Sequence, residues 1–160
     1  MKLLIAIILI MATLSCGQQK QLQETATNEA IASLIENQDY TFSVRTVLPS
    51  GGRAIQANSL YDLRVSKDSL VSYLPYFGRA YSAPVGGTDA GLQFTSTDFA
   101  YTTEPRKKGG WLIKIRPNDN RDIQQMFLTV TETGSASLQV TSNNRQPISY
   151  NGNIGKRSRK

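Results

Sequence analysis

MFLTVTETGSASLQVTS, residues 126–142, decides the fold class. Met126, Leu128 and Val130 fall at every second position, and so do Leu138 and Val140 beyond TETGSA. A β-strand sends successive side chains to opposite faces, so this spacing describes two half-buried strands. Gly134 supplies the backbone freedom that a tight connection requires, and the segment predicts an antiparallel hairpin.

The same period extends in both directions. In YTFSVRTVL (40–48), Tyr40, Phe42, Val44 and Leu48 share one face, with Thr41, Ser43 and Arg45 on the other. PSGG (49–52) breaks that strand as a turn. Tyr61, Leu63 and Val65 alternate with Asp62 and Arg64, SKDS turns the chain, and LVSYL (70–74) follows. LQFTSTDFAY (92–101) starts with Leu92 and Phe94 on one parity and ends with Phe99 and Tyr101 on the other, which predicts a bulge or two strands with a break. PRKKGG (105–110) reads as a loop. WLIKIRP (111–117) puts Trp111, Ile113 and Ile115 on one side, and PISYNG (147–152) adds a last short strand.

Only TNEAIASLIENQDY (27–40) has helical spacing, with Ile31, Leu34 and Ile35 on one stripe and Thr27 or Asn28 as the cap. The expectation is a mainly β domain over 27–155: an antiparallel meander of about seven to nine strands behind one short N-terminal helix. Curved sheet, half-barrel and closed barrel all satisfy the pattern.

The ends carry different information. Lys2 precedes the apolar run LLIAIILIMATL (3–14), too short for a spanning helix, and then comes Ser15 followed by Cys16, the sole cysteine. This resembles a bacterial lipobox, although Thr13 stands where leucine is usual and Leu14 where a small residue is. The resemblance implies a signal peptide over 1–15, lipidation of Cys16 by a diacylglycerol (the palmitate-type anchor of a lipoprotein), and a polar tether over 16–26. At the other end, KRSRK (156–160) reads as a basic disordered tail, or as a contact for anionic headgroups or cell-wall polymer. Setting aside Lys2 and the four basic residues of that tail lowers the net charge from +6 to +1, so no nucleic-acid partner is expected.

The composition removes much chemistry. There is no histidine, so imidazole acid/base catalysis, serine and cysteine triads and imidazole metal sites are excluded. Cys16 is expected to be acylated, leaving no free thiol. Only a carboxylate-dependent hydrolase survives as an enzyme reading. Asp119, Asn120 and Asp122 in RPNDNRDI suit a turn better than a calcium loop, because Asn and Asp bond nearby backbone there. VGGTDAG and KKGGW lack the strand–loop–helix setting of a phosphate loop. No metal and no cofactor is expected.

YLPYFGRAY (73–81) packs Tyr73, Tyr76, Phe77 and Tyr81 around Arg79, and a second arginine, Arg145, stands in NRQPISYNG. Pro75 cannot donate a ladder hydrogen bond, so a strand ends at Leu74 and the chain turns. An arginine among such rings can stack on them and donate to several carbonyls. These six residues are candidates either for a structural clasp or for a pocket taking an anionic or aromatic ligand.

YDLRVSKDSLVSYLPYFGRAY, GGWLIKI and GSASLQVTSNNRQPISYNGNI occur in that order, and together they resemble the domain-of-unknown-function 4251 family, small lipoprotein-like proteins of Bacteroidetes, over roughly residues 40–155. The resemblance implies an envelope lipoprotein with this β-rich domain and transfers no catalytic residue or ligand. In that lineage surface export often goes with acids just after the cysteine. Here GQQKQLQE reaches its first acid at Glu24, which implies an outer-membrane protein facing the periplasm. The functional expectation is a lipid-anchored, non-enzymatic binding or interaction module for an envelope protein or a small ligand. Its competitor is an assembly component that uses a sheet edge.

Overall fold

The structure is a computed structural model and describes residues 27–58, 60–78, 81 and 91–157. The segments 1–26, including Cys16, and 158–160, most of the basic tail, lie outside the described residues, as do 59, 79–80 and 82–90.

A helix over residues 27–36, α1, leads into ten strands. They are β1 (Tyr40–Pro49), β2 (Ile55–Gln56), β3 (Asp62–Val65), β4 (Leu70–Leu74), β5 (Leu92–Ser96), β6 (Phe99–Pro105), β7 (Trp111–Pro117), β8 (Ile123–Val130), β9 (Ser135–Ser142) and β10 (Ile148–Lys156). They form one antiparallel, nearly closed, barrel-like sheet in the order β5-β4-β3-β1-β10-β9-β8-β7-β6, with β2 on β1. Thus the sheet curls into a near-barrel.

The hairpin of residues 126–142 has the expected register: Met126 faces Val140, Leu128 faces Leu138 and Val130 faces Ala136, with Gly134 at φ 83° in the turn. Those six side chains are buried. The parity switch in 92–101 is a break between two strands at Thr97–Asp98. β5 and β6 lie at the two ends of the sheet order, an even number of antiparallel steps apart, so they run in the same direction. One bent stretch of chain therefore pairs with β4 through its first half and with β7 through its second, and the bend at Thr97–Asp98 brings the ends of the sheet together.

Three expectations are corrected. Leu48 is not the last core residue of β1. The pairing with β10 slips between Val44 and Thr46, so the buried face passes to Val47, which is fully buried. Ile55–Gln56 forms a strand too short for any periodicity to reveal. The last strand is long and runs to Lys156, and Arg157 pairs with Asp39 at 3.1 Å, so residues 156 and 157 belong to the folded domain and not to a disordered tail. Lys156 faces Tyr40 across the ladder, which extends the sheet to the end of β10.

Alternation of direction sorts the connections to two poles. The helix pole collects the start of β1, the β6–β7 and β8–β9 turns and the end of β10. The opposite pole collects the ends of β1, β4, β7 and β9 and the starts of β5, β8 and β10. α1 closes the helix pole. Ile31 and Ile35 enter the core, Ile31 packs beside Gly134, and the Tyr101 hydroxyl donates to the Ile35 carbonyl at 3.3 Å. α1 ends in a Schellman turn: Asp39 N–H bonds Leu34 O at 3.1 Å and Gln38 N–H bonds Ile35 O at 3.2 Å. Gln38 holds the left-handed position of that turn at φ 51°, where a Cβ is strained. Gln38→Gly is expected to raise stability by about 0.5–1 kcal/mol in chemical unfolding.

Candidate functional site

The distinctive residues gather at the pole opposite α1. β4 ends at Leu74, and the chain crosses the barrel mouth through Pro75, Tyr76 and Phe77. Buried Tyr150 on β10 donates its hydroxyl to the Pro75 carbonyl at 2.7 Å and so anchors the crossing. The Tyr76 hydroxyl donates to the Gln146 carbonyl at 3.2 Å. The Arg145 guanidinium lies over the Tyr76 ring, 5.1 Å from its centroid, donates to Gly91 O at 3.2 Å and pairs with Asp122 at 3.4 Å. Asp122 also accepts from the Ser142 hydroxyl at 2.8 Å. Arg145 therefore ties four pieces of chain together: the 75–77 crossing, the entry to β5, the start of β8 and its own β9–β10 connection. Burial pushes the Tyr76 hydroxyl above its usual pKa, with the Arg145 charge opposing the rise, and the ring stays neutral at physiological pH.

The other candidates separate from this clasp. Tyr73 projects outward from β4 and stacks on Tyr61, with centroids 5.7 Å apart. Tyr81 is 70% exposed, although its backbone N–H bonds Asn144 O at 2.8 Å. Phe77 is 42% exposed. Arg79 lies outside the described residues, as does the lipidation candidate Cys16.

Phe77 forms one wall of an open groove of about 550 Å³ in the barrel mouth. Pro49, Gly51, Gly52 and Arg53 of the β1–β2 turn, Ile55 of β2, Gly78 and Gln146 complete it. Arg53 and Ile55 were not singled out by the sequence. Their turn reads only as a break between strands, and nothing local shows that it folds beside residues 77 and 146. Gln146 was at least inside a distinctive string. A second open crevice of about 490 Å³ lies at the other pole between α1 and β6–β7, with Trp111, Tyr101 and Gln38 in its lining.

Among the described residues, no three histidine, cysteine, aspartate or glutamate side chains gather as metal ligands. The RPNDNRDI segment is a turn: Asn120 Oδ1 accepts from the N–H groups of Asp122 and Ile123 at 2.9 and 3.0 Å. Asp119 fastens the β5–β6 bend, accepting from the Ser96 hydroxyl at 2.5 Å and the Thr97 N–H at 3.0 Å. Those donors, Ser96 first, hold its pKa below the usual 3.8. A carboxylate lowered by folding contributes stability that is present above its unfolded pKa and lost as pH falls through the folded value. Asp119→Asn should therefore flatten the loss of thermal stability on acidification below about pH 4 while leaving the neutral-pH slope unchanged.

The comparisons agree with this architecture. A crystal structure of a DUF4251 family protein from Bacteroides eggerthii is similar, with a TM-score of 0.57 and 15% identity over 82% of this chain and 88% of that one. At that identity the likeness concerns the fold alone. No curated protein matches the chain. No helix among the described residues is long and apolar enough to cross a membrane. The family model described as domain of unknown function (DUF4251) matches residues 22–154, nearly all of the β domain together with α1, and the chain belongs to that family.

Proposed function

We propose that the protein is a lipid-anchored component of the cell envelope whose β domain binds a ligand without chemistry, through the groove at the pole opposite α1. The carrying observation is the groove itself. Its volume falls within the range of small-molecule sites, and its walls grow directly from the clasp, since Phe77 follows Tyr76 and Gln146 follows Arg145. Among the described residues, none that lines the groove is a carboxylate, so they offer no pair for a two-carboxylate hydrolysis. The tether from Cys16 would join the domain through α1, at the far pole. The groove would then face away from the membrane, into the periplasm for an outer-membrane lipoprotein. Capture of envelope components by the full-length protein tests the reading: Phe77→Ala should remove the captured ligand, and capture indifferent to Phe77 would overturn it. Cys16→Ala should release the processed protein from the membrane fraction, and continued attachment would refute the anchor.

A second reading, assembly through a sheet edge, has one observation behind it. Among the described residues, β6 pairs only with β7. Asp98 and Arg106 bond toward β7, so the backbone groups of Tyr101 and Thr103 point to the free edge. Pro105 lies on that edge too and blunts it. Thr103→Pro removes a donor from the edge without costing a β6–β7 bond. Capture lost in that variant and kept in Phe77→Ala would favour assembly.

A further inference from the structure

We propose that the groove takes a carboxylate carried on an apolar body, with Arg53 as the anion-binding residue. The inference rests on the binding-module reading and specifies its ligand. Arg53 of the β1–β2 turn lines a groove whose other side chains are Pro49, Ile55, Phe77 and Gln146. Among the described residues the ion pairs are those of Arg64, Lys114, Arg145 and Arg157, and no carboxylate stands within pairing distance of Arg53. Among the described residues, the groove thus holds one positive charge and no lining group to neutralise it. A carboxylate supplies the missing acceptor, and the planar guanidinium matches its two oxygens. The rest of the ligand meets hydrocarbon. Ile55 and Phe77 are large apolar side chains left 37% and 42% exposed, and a ligand lying against them removes that surface from water. The neighbouring Arg145 cannot serve, because Asp122, Gly91 and Tyr76 already occupy it. It acts as a positioning residue that holds Phe77 and Gln146 at the groove.

The chemistry is shared by a peptide C-terminus and by a small organic acid, and the probes separate them. N-acetyl-leucyl-leucine and 3-phenylpropanoate, each with its amide counterpart, are titrated into the full-length protein and followed by calorimetry. At least one acid should bind about tenfold more tightly than its amide. Arg53→Gln should erase that difference, and Phe77→Ala should weaken acid and amide alike by about fivefold or more. The acid that binds identifies the source. If acids and amides bind equally and both need Phe77, the carboxylate proposal falls while the binding-module reading stands. If no probe binds at millimolar concentration, the proposal falls and the Phe77-dependence of envelope capture alone decides the broader reading.

Discussion

Tyr150→Ala is expected to destabilise the domain by about 3–5 kcal/mol, a large share of the roughly 5–15 kcal/mol of a domain of ordinary stability. The side chain is among the largest of the fully buried ones, and its removal leaves a ring-sized hole between β10 and the mouth crossing. Tyr150→Phe keeps the ring and isolates the second contribution. Without the hydroxyl, the buried Pro75 carbonyl loses the donor that now lies at 2.7 Å, a loss of about 1–3 kcal/mol. Urea unfolding of the three proteins separates the two effects, and a Tyr150→Phe variant as stable as the parent would show that the Pro75 carbonyl finds another donor. The pH response follows from the same burial. Desolvation raises the Tyr150 hydroxyl well above its usual value of 10, and Tyr40 is raised likewise. An acid whose folded pKa is raised contributes stability that is intact below the unfolded value and lost as pH climbs above it. Stability should fall above about pH 10, less steeply in Tyr150→Phe than in the parent.

Gly152→Val is expected to cost about 3 kcal/mol or more. Gly152 faces Val44 where the β1–β10 pairing slips, and the irregularity brings the Ser43 carbonyl against the place a side chain would occupy. A Cβ there would meet the Ser43 carbonyl oxygen, which is backbone and cannot swing aside, and would also meet the Phe42 ring at 3.1 Å. β1 and β10 form the middle of the sheet order, so relaxation would have to move the strands that organise both halves. The control is close at hand. A Cβ on Gly155, in the same strand, would have nothing within 4 Å, and Gly155→Ala should change stability by no more than about 0.5 kcal/mol. Equal effects at the two glycines would mean that the close approach at residue 152 is not what requires glycine there.

What was legible in the sequence follows from the pleat. Side-chain alternation is a property of the local backbone, so Met126, Leu128 and Val130 could be paired with Leu138 and Val140 from spacing alone, and the parity change between Phe94 and Phe99 revealed the break that joins the two ends of the barrel. Pro75 marked the end of β4 for an equally local reason, its missing N–H. The shift of burial from Leu48 to Val47 was not legible, because the slip depends on how β1 meets β10, a partner about a hundred residues away along the chain. The same is true of the site. Tyr76 and Arg145 were each recognisable as unusual, yet their 5.1 Å stack exists only because β4 and β9 end at the same pole of a curled sheet. Arg53 had no distinguishing neighbours in sequence at all. Local backbone geometry, period by period, determined the strands, the hairpin and the corner. Long-range pairing and closure, which bring together groups that no spacing relates, decided the bulge, the clasp and the placing of Arg53 beside Phe77 in the groove.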